Sequence, residues 1–117
     1  MLVEFTFENS KCYKREATLQ MVSAPICEHR DTLIAGVGKR SYLPVAAIYG
    51  PNGGGKSSVL QALECLQRIV TLPYLVVRSR RAHAYGVDCR PYAFEEATRS
   101  EATTFCVIFE AGEYTYR

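Results

Sequence analysis

The residues whose types and spacing could do chemistry are Gly50-Pro51-Asn52-Gly53-Gly54-Gly55-Lys56-Ser57. They fit G-x-x-x-x-G-K-[ST], the pattern of a loop that wraps phosphate. A triphosphate is a dense cluster of negative oxygens, and backbone N–H groups can surround it only where side chains do not obstruct. Gly53, Gly54 and Gly55 lack Cβ and can take positive φ. A helix starting after the loop would aim its unpaired N–H donors and partial positive charge at the same oxygens. Lys56 would reach the β- and γ-phosphates as a flexible point charge. The Ser57 hydroxyl would enter the shell of a Mg²⁺ ion, and Ser58 is placed to donate to the α-phosphate. Asn52 could bond near the γ-phosphate, and Gly50 opens the turn. The nucleotide-binding set is therefore Gly50, Asn52, Gly53, Gly54, Gly55, Lys56, Ser57 and Ser58, with ATP and Mg²⁺ as the cofactors. The plainer reading is a glycine-rich turn capping a structural helix, but such a turn has no need of Lys and Ser at these positions.

Such a loop has to hang between a strand and a helix. Val45-Ala46-Ala47-Ile48-Tyr49 is a continuous apolar run of strand length, which predicts a strand buried on both faces. From Lys56 to Leu72 the chain has no Gly or Pro, and Val59, Leu60, Leu63, Leu66, Ile69 and Val70 recur at helical spacing. Pro73 is expected to end that helix. Upstream, Val3, Phe5 and Phe7 alternate with Glu4, Thr6 and Glu8, the period of a half-buried strand. Residues 16–23 read as a second strand, and the short 9–15 connection suits an antiparallel pair. Residues 25–44 read as loop, with a short element at 32–35. Tyr92-Ala93-Phe94 is expected to anchor in the core. Phe105, Val107 and Phe109 predict a strand, Ala111-Gly112 a turn, and Tyr114 and Tyr116 a returning strand whose rings belong to the core. The order is α/β with an antiparallel β add-on.

Other candidates carry less. Lys11, Lys14 and Arg15 form a charged tip that could face a nucleotide, although such tips are commonly just solvated. Arg78-Ser79-Arg80-Arg81 could touch nucleic acid, but a solvated segment is the simpler reading, and His83 has no evident partner. Cys27 and His29 make a lone C-x-H, too little for zinc. Hydrolysis by a phosphate-loop enzyme needs a carboxylate at the end of an apolar strand. Glu110 follows one, but a turn comes next and the strand looks like part of a hairpin.

The chain has 117 residues, 48% hydrophobic and 22% charged, with a net charge of +2. This composition supports one globular domain and excludes disorder. The charge is too small to imply a nucleic-acid partner by itself. No uncharged apolar run approaches the roughly 18–20 residues of a membrane span. The five cysteines form no C-x-x-C, which suits reduced thiols in the cytoplasm.

Two stretches, MLVEFTFENSKCYKREATLQM and LPVAAIYGPNGGGKSSVLQALECL, resemble the start of the AAA-type, ABC-like ATPases related to the OLD, RecF and SMC proteins. Those open with a strand, an F-x-N-(F/Y)-(K/R)-(S/C)-(F/Y) element and a second strand. The element stands here as Phe7 to Tyr13, with Ser10 in place of the usual aromatic. The strand-to-loop pattern I-Y-G-x-N-G-x-G-K-S is matched from Ile48 to Ser57, and Phe105 to Tyr116 is similar to a hairpin of many bacterial members. The resemblance implies that residues 1–117 are the N-terminal lobe of a P-loop ATPase domain, truncated before the second acidic motif. It implies as partners the missing C-terminal lobe or a second subunit, and DNA, with ATP hydrolysis by the complete protein in DNA maintenance or phage defence. A strand that stops at Arg117 leads to the same expectation of a longer protein. This chain alone would then turn over little ATP. The alternatives are a stand-alone, non-catalytic phosphate-binding module that regulates a partner, and a small-molecule kinase, which would place its loop after the first strand.

Overall fold

The computed structural model describes residues 1–26, 28–78 and 89–117. Its centre is β1 (Leu2–Glu8), whose alternation is realised in full: Val3, Phe5 and Phe7 are buried. β1 pairs antiparallel with β2 (Ala17–Gln20) on one side and with β5 (Thr104–Ala111) on the other. β5 pairs with β6 (Tyr114–Tyr116) through a turn in which Gly112 takes φ 62°, giving the order β2-β1-β5-β6. Phe5 lies opposite Leu19 and Val107, and Phe7 opposite Ala17 and Phe105. These six side chains therefore share one face.

Helix α1 (Lys56–Arg78) covers that face. Val59 and Ala62 enter the cluster of Phe5 and Phe7, with Leu63, Leu66 and Tyr13 packed against it. The buried stripe is Val59, Ala62 and Cys65, so two members of the expected apolar set, Leu60 and Val70, stay largely in solvent. Full burial of an aromatic such as Phe5 or Phe7 contributes about 1.5–3 kcal/mol. α1 does not end at Pro73 but runs through it to Arg78. A proline inside a helix removes one ladder hydrogen bond at a cost of about 3 kcal/mol, and the helical backbone continues across it.

The region expected as loop contains a 3₁₀ turn (Arg30–Thr32) and a small hairpin, β3 (Ile34–Ala35) with β4 (Ser41–Tyr42). The fully buried Tyr42 holds it. The ring passes so close to Gly36 that a Cβ there would collide with it. The Tyr42 hydroxyl donates to Glu110 Oε1 at 2.5 Å, and Val37 N–H donates to Glu110 Oε2 at 2.9 Å. Backbone bonds from Leu43 to Met21 and from Met21 to Val3 join hairpin and main sheet.

Several expectations are corrected. Val45–Tyr49 forms no strand: it is irregular and exposed, Val45 by 75% and Tyr49 by 89%. A run buried on both faces needs flanking strands, and every pairing in the main sheet is made by other segments. Phe94 is 77% exposed and packs edgewise on Tyr92, while the residue that anchors this segment is Thr98, which is buried. Its hydroxyl donates to the carbonyls of Tyr92 and Glu95. Tyr114 and Tyr116 are exposed, with Tyr116 stacked on Phe109. The cysteines are not all reduced: Cys65 and Cys89 form a disulfide with Cα atoms 5.8 Å apart. Their separation of 24 residues offered no sign of this, because the contact depends on the chain after α1 returning to the helix. Cys27, Ser79, Arg80, Arg81 and His83 lie outside the described residues. Among the described residues, no helix is long and apolar enough to cross a membrane.

Candidate functional site

The glycine-rich segment forms a loop ahead of α1, and two of its glycines show why they are needed. Gly53 takes φ 80° and Gly55 φ 83°, in the left-handed region where a side chain is strained. Gly54 closes a turn, its N–H donating to the Pro51 carbonyl at 3.1 Å, and Ser58 N–H donates to Gly55 O at 2.9 Å. The chain thereby doubles back and enters the helix at Lys56.

Asn52, Gly53, Gly54, Gly55, Lys56, Ser57 and Ser58 together line a cavity of about 340 Å³. Gly50 is not part of this lining and connects to it only through its carbonyl. Lys56 Nζ donates to Gly50 O at 2.8 Å and to Pro51 O at 2.7 Å. The ammonium is thus folded onto the loop that precedes it, and its charge stays within reach of the cavity. The first turn of α1 contains no acidic residue. Carboxylates are favoured at helix N-termini, so this one is left free for an anion from outside. Ser57 is exposed and Ser58 half-buried.

The lining therefore offers a cation, hydroxyls, a side-chain amide and main-chain N–H groups. It can hold phosphate oxygens. Ser57 would supply one oxygen to a Mg²⁺ ion whose other ligands come from phosphate and water, as suits a cation that keeps most of its shell. Among the described residues, no cluster of three or more His, Cys, Asp and Glu could hold a metal by itself. The donor set fits a metal brought in with a polyphosphate.

The weaker candidates fall elsewhere. Lys11 lines a depression beside Gln61, Glu64, Cys65 and Arg68 on the flank of α1. Lys14 pairs with Glu95 on the surface, which raises its pKa, and Arg15 is exposed. Glu110 is committed to Tyr42 and Val37, and the bond from Tyr42 holds its carboxyl below the ordinary glutamate range. Burial, together with that same bond, raises the Tyr42 hydroxyl.

One lining residue was not anticipated. Cys12, from the turn after β1, shares the cavity with the loop. A lone thiol carries no charge to mark it, unlike the nearby Lys11 and Lys14. The available signal was its place in the Phe7–Tyr13 element.

Residues 45–104, just over half of the chain, match the family described as "AAA domain, putative AbiEii toxin, Type IV TA system". The match spans the apolar run, the loop, α1 and the segment up to the start of β5. No curated protein and no solved structure matches the chain.

Proposed function

Since the chain belongs to this AAA-domain family, whose relationship is to the P-loop ATPases, we propose that it binds ATP with Mg²⁺ through Asn52–Ser58. The observation that carries the reading is the single cavity in which seven consecutive loop and helix residues converge, with the Lys56 ammonium folded onto the Gly50 and Pro51 carbonyls. On binding, Lys56 leaves those carbonyls for the β- and γ-phosphates. The exchange replaces two neutral acceptors by anionic ones, so charge–charge attraction is added to bonds that the ammonium already makes charge-assisted. Main-chain N–H groups of the glycine loop and the first turn of α1 surround the β-phosphate. Ser57 would lend its hydroxyl oxygen to a Mg²⁺ ion, which would neutralise phosphate charge, and Ser58 would donate to the α-phosphate.

The reading covers binding by this chain and assigns hydrolysis to a longer or assembled form. Glu110, the carboxylate at a strand end, faces Tyr42 and Val37, so it does not serve as the base that activates water. A closer relation to the OLD, RecF and SMC group belongs to the same proposal. It is supported by the match from Ile48 to Ser57 and by the Phe7–Tyr13 turn, which abuts the loop. A second lobe or subunit would complete the ATPase, and DNA is the partner that this relation favours. The location proposed is the cytoplasm, on the ground of that DNA partner and not of the thiols, since Cys65 and Cys89 are joined.

The test is titration of a fluorescent ATP analogue with Mg²⁺ into the chain and into Lys56→Ala. The expected result is saturable binding weakened at least about tenfold in the variant, or about 1.4 kcal/mol. Equal affinity in the two proteins, with both folded by circular dichroism, overturns the reading.

A further inference from the structure

The turn that brings Cys12 to the cavity is built at a cost. Asn9 takes φ 51° and Lys11 φ 55°, in the left-handed region that residues other than glycine adopt uncommonly, Asn more readily than Lys. The surrounding bonds hold them there. Asn9 is buried. Its Nδ2 donates to Thr98 O at 2.9 Å and Glu101 O at 3.0 Å, and its Oδ1 accepts from Tyr92 N–H at 2.9 Å. Lys11 N–H donates to Arg90 O at 3.0 Å, and Lys11 O accepts from Ala93 N–H at 2.9 Å. Ser10 and Tyr13 exchange two backbone bonds, at 2.9 and 2.8 Å.

The fixing presses two side chains onto the end of the glycine loop. Tyr13 packs edgewise on Phe7, with ring centroids 5.1 Å apart, and its hydroxyl donates to Gly55 O at 3.5 Å. A Cβ on Gly55 would stand 2.7 Å from Cys12 Sγ and 3.2 Å from the Tyr13 ring. The sulfur is therefore in contact with the backbone of the glycine that directly precedes Lys56. Cys12 is half-buried, carries a free thiol, and is the residue from outside the loop that lines the cavity.

We propose that Cys12 forms one wall of the phosphate cavity, so that a group attached to its sulfur and a bound polyphosphate exclude one another. The space between Sγ and Gly55 does not admit even a methyl group, so an adduct has to extend into the open volume that the loop encloses. The inference rests on the reading of that volume as a nucleotide site. It adds a residue that controls occupancy of the site, and it makes the site sensitive to thiol chemistry.

The probe is N-ethylmaleimide. The Cys12 sulfur forms a bond to one alkene carbon of the reagent, the thiol proton passes through water to the other, and nothing leaves. The chain is treated with and without saturating MgATP, and adducts are read peptide by peptide by mass spectrometry. Cys106, a free thiol on β5, is the internal control. MgATP is expected to slow labelling of Cys12 about tenfold or more, and to leave Cys106 within about twofold. Lys56→Ala should lose the protection. Protein labelled beforehand at Cys12 should lose affinity for the fluorescent ATP analogue about tenfold, whereas Cys12→Ser should bind equally with and without reagent treatment. Unchanged Cys12 labelling in a sample that binds the analogue in a Lys56-dependent way overturns the inference and leaves nucleotide binding standing. Absence of Lys56-dependent binding removes both.

Discussion

β1 and the Val45–Tyr49 run are both short and apolar, yet they meet opposite fates. In β1, Phe5 is 0% and Phe7 1% exposed, while in the run Val45 is 75% and Tyr49 89% exposed. By composition the second segment is the more hydrophobic, since β1 carries Glu4, Thr6 and Glu8 between its apolar residues. The difference lies in neighbours. β1 has a strand on each side and a helix on one face. Val45–Tyr49 leaves the β4 hairpin and leads directly to the glycine loop without joining a strand or bridge. Burial is thus a property of the partners a segment finds, and apolarity only makes it susceptible. The contrast bears on function, because the glycine loop is held in this structure from its α1 side and from the Cys12 turn.

The largest effect that would sharpen this contrast is expected in β1. Phe7 stacks on Phe5, meets Tyr13 edgewise and shares one buried cluster with Val59 and Ala62, so it joins the sheet, the Cys12 turn and the helix. Phe7→Ala should destabilise the chain by about 3–5 kcal/mol, the range for deleting a buried aromatic. Urea unfolding followed by circular dichroism measures it. A loss below about 1 kcal/mol would mean that the face shared by Phe5, Phe7, Val59 and Ala62 is not the core.

How much of this was legible beforehand follows from the same physics. The period of two in residues 3–8 and 105–109 is local information, and it gave both long strands of the main sheet. The loop pattern is local information too, since it consists of residue types at fixed spacing, and Asn52–Ser58 do come together around one cavity. What depends on pairing was not. The Val45–Tyr49 run has the look of a buried strand, but nothing in its own residues says whether flanking strands will be found. Pro73 predicts a helix end from local sterics, and the helix nevertheless continues. Cys65 and Cys89 meet because the chain after α1 returns to it. Within the site, seven of the eight expected residues line the cavity and Gly50 is tied to it only through its bond from Lys56, while the place of Cys12 depends on how the β1 turn packs on Gly55. In the 92–98 segment, size pointed to Phe94 as the anchor, whereas the chain buries Thr98, whose hydroxyl satisfies two carbonyls.

A smaller effect is expected where buried chain gives way to exposed chain. Tyr42 is the last fully buried residue before the run, and its hydroxyl is held by Glu110. That bond, with the one from Val37, holds the Glu110 carboxyl below its ordinary value of 4.5, while the sheet's partial desolvation opposes it. A carboxylate whose folded pKa is lowered adds stability above its unfolded pKa, and the gain is lost as pH falls through the folded value. Glu110→Gln should therefore lower Tm at pH 7, and the gap to the parent should close as pH drops below about 4. Thermal unfolding from pH 7 to pH 3 checks this. A gap that stays constant would show that Tyr42 and Val37 need an acceptor but not its charge.

The smallest effect is expected in the run itself, and it is the one that could break the comparison. Ile48 is 41% exposed, between Val45 and Tyr49, which are more exposed still. Exposed positions away from caps and buried networks usually change stability by less than about 0.5 kcal/mol. Ile48→Thr keeps a β-branched side chain and exchanges an apolar group for a hydroxyl, so it should fall within that range. The amides of 46–49 should also exchange with solvent far faster than those of Phe5 and Phe7, which sit in a two-sided ladder. Hydrogen exchange read by mass spectrometry or NMR tests the two regions in one sample. If Ile48→Thr instead costs about 2 kcal/mol or more, and its neighbours' amides are protected, the run is buried in solution. Repeating the exchange at several protein concentrations then separates the causes. Protection that grows with concentration means that a second copy of the chain covers the run. Protection independent of concentration means that the run folds against its own chain, and the contrast with β1 fails.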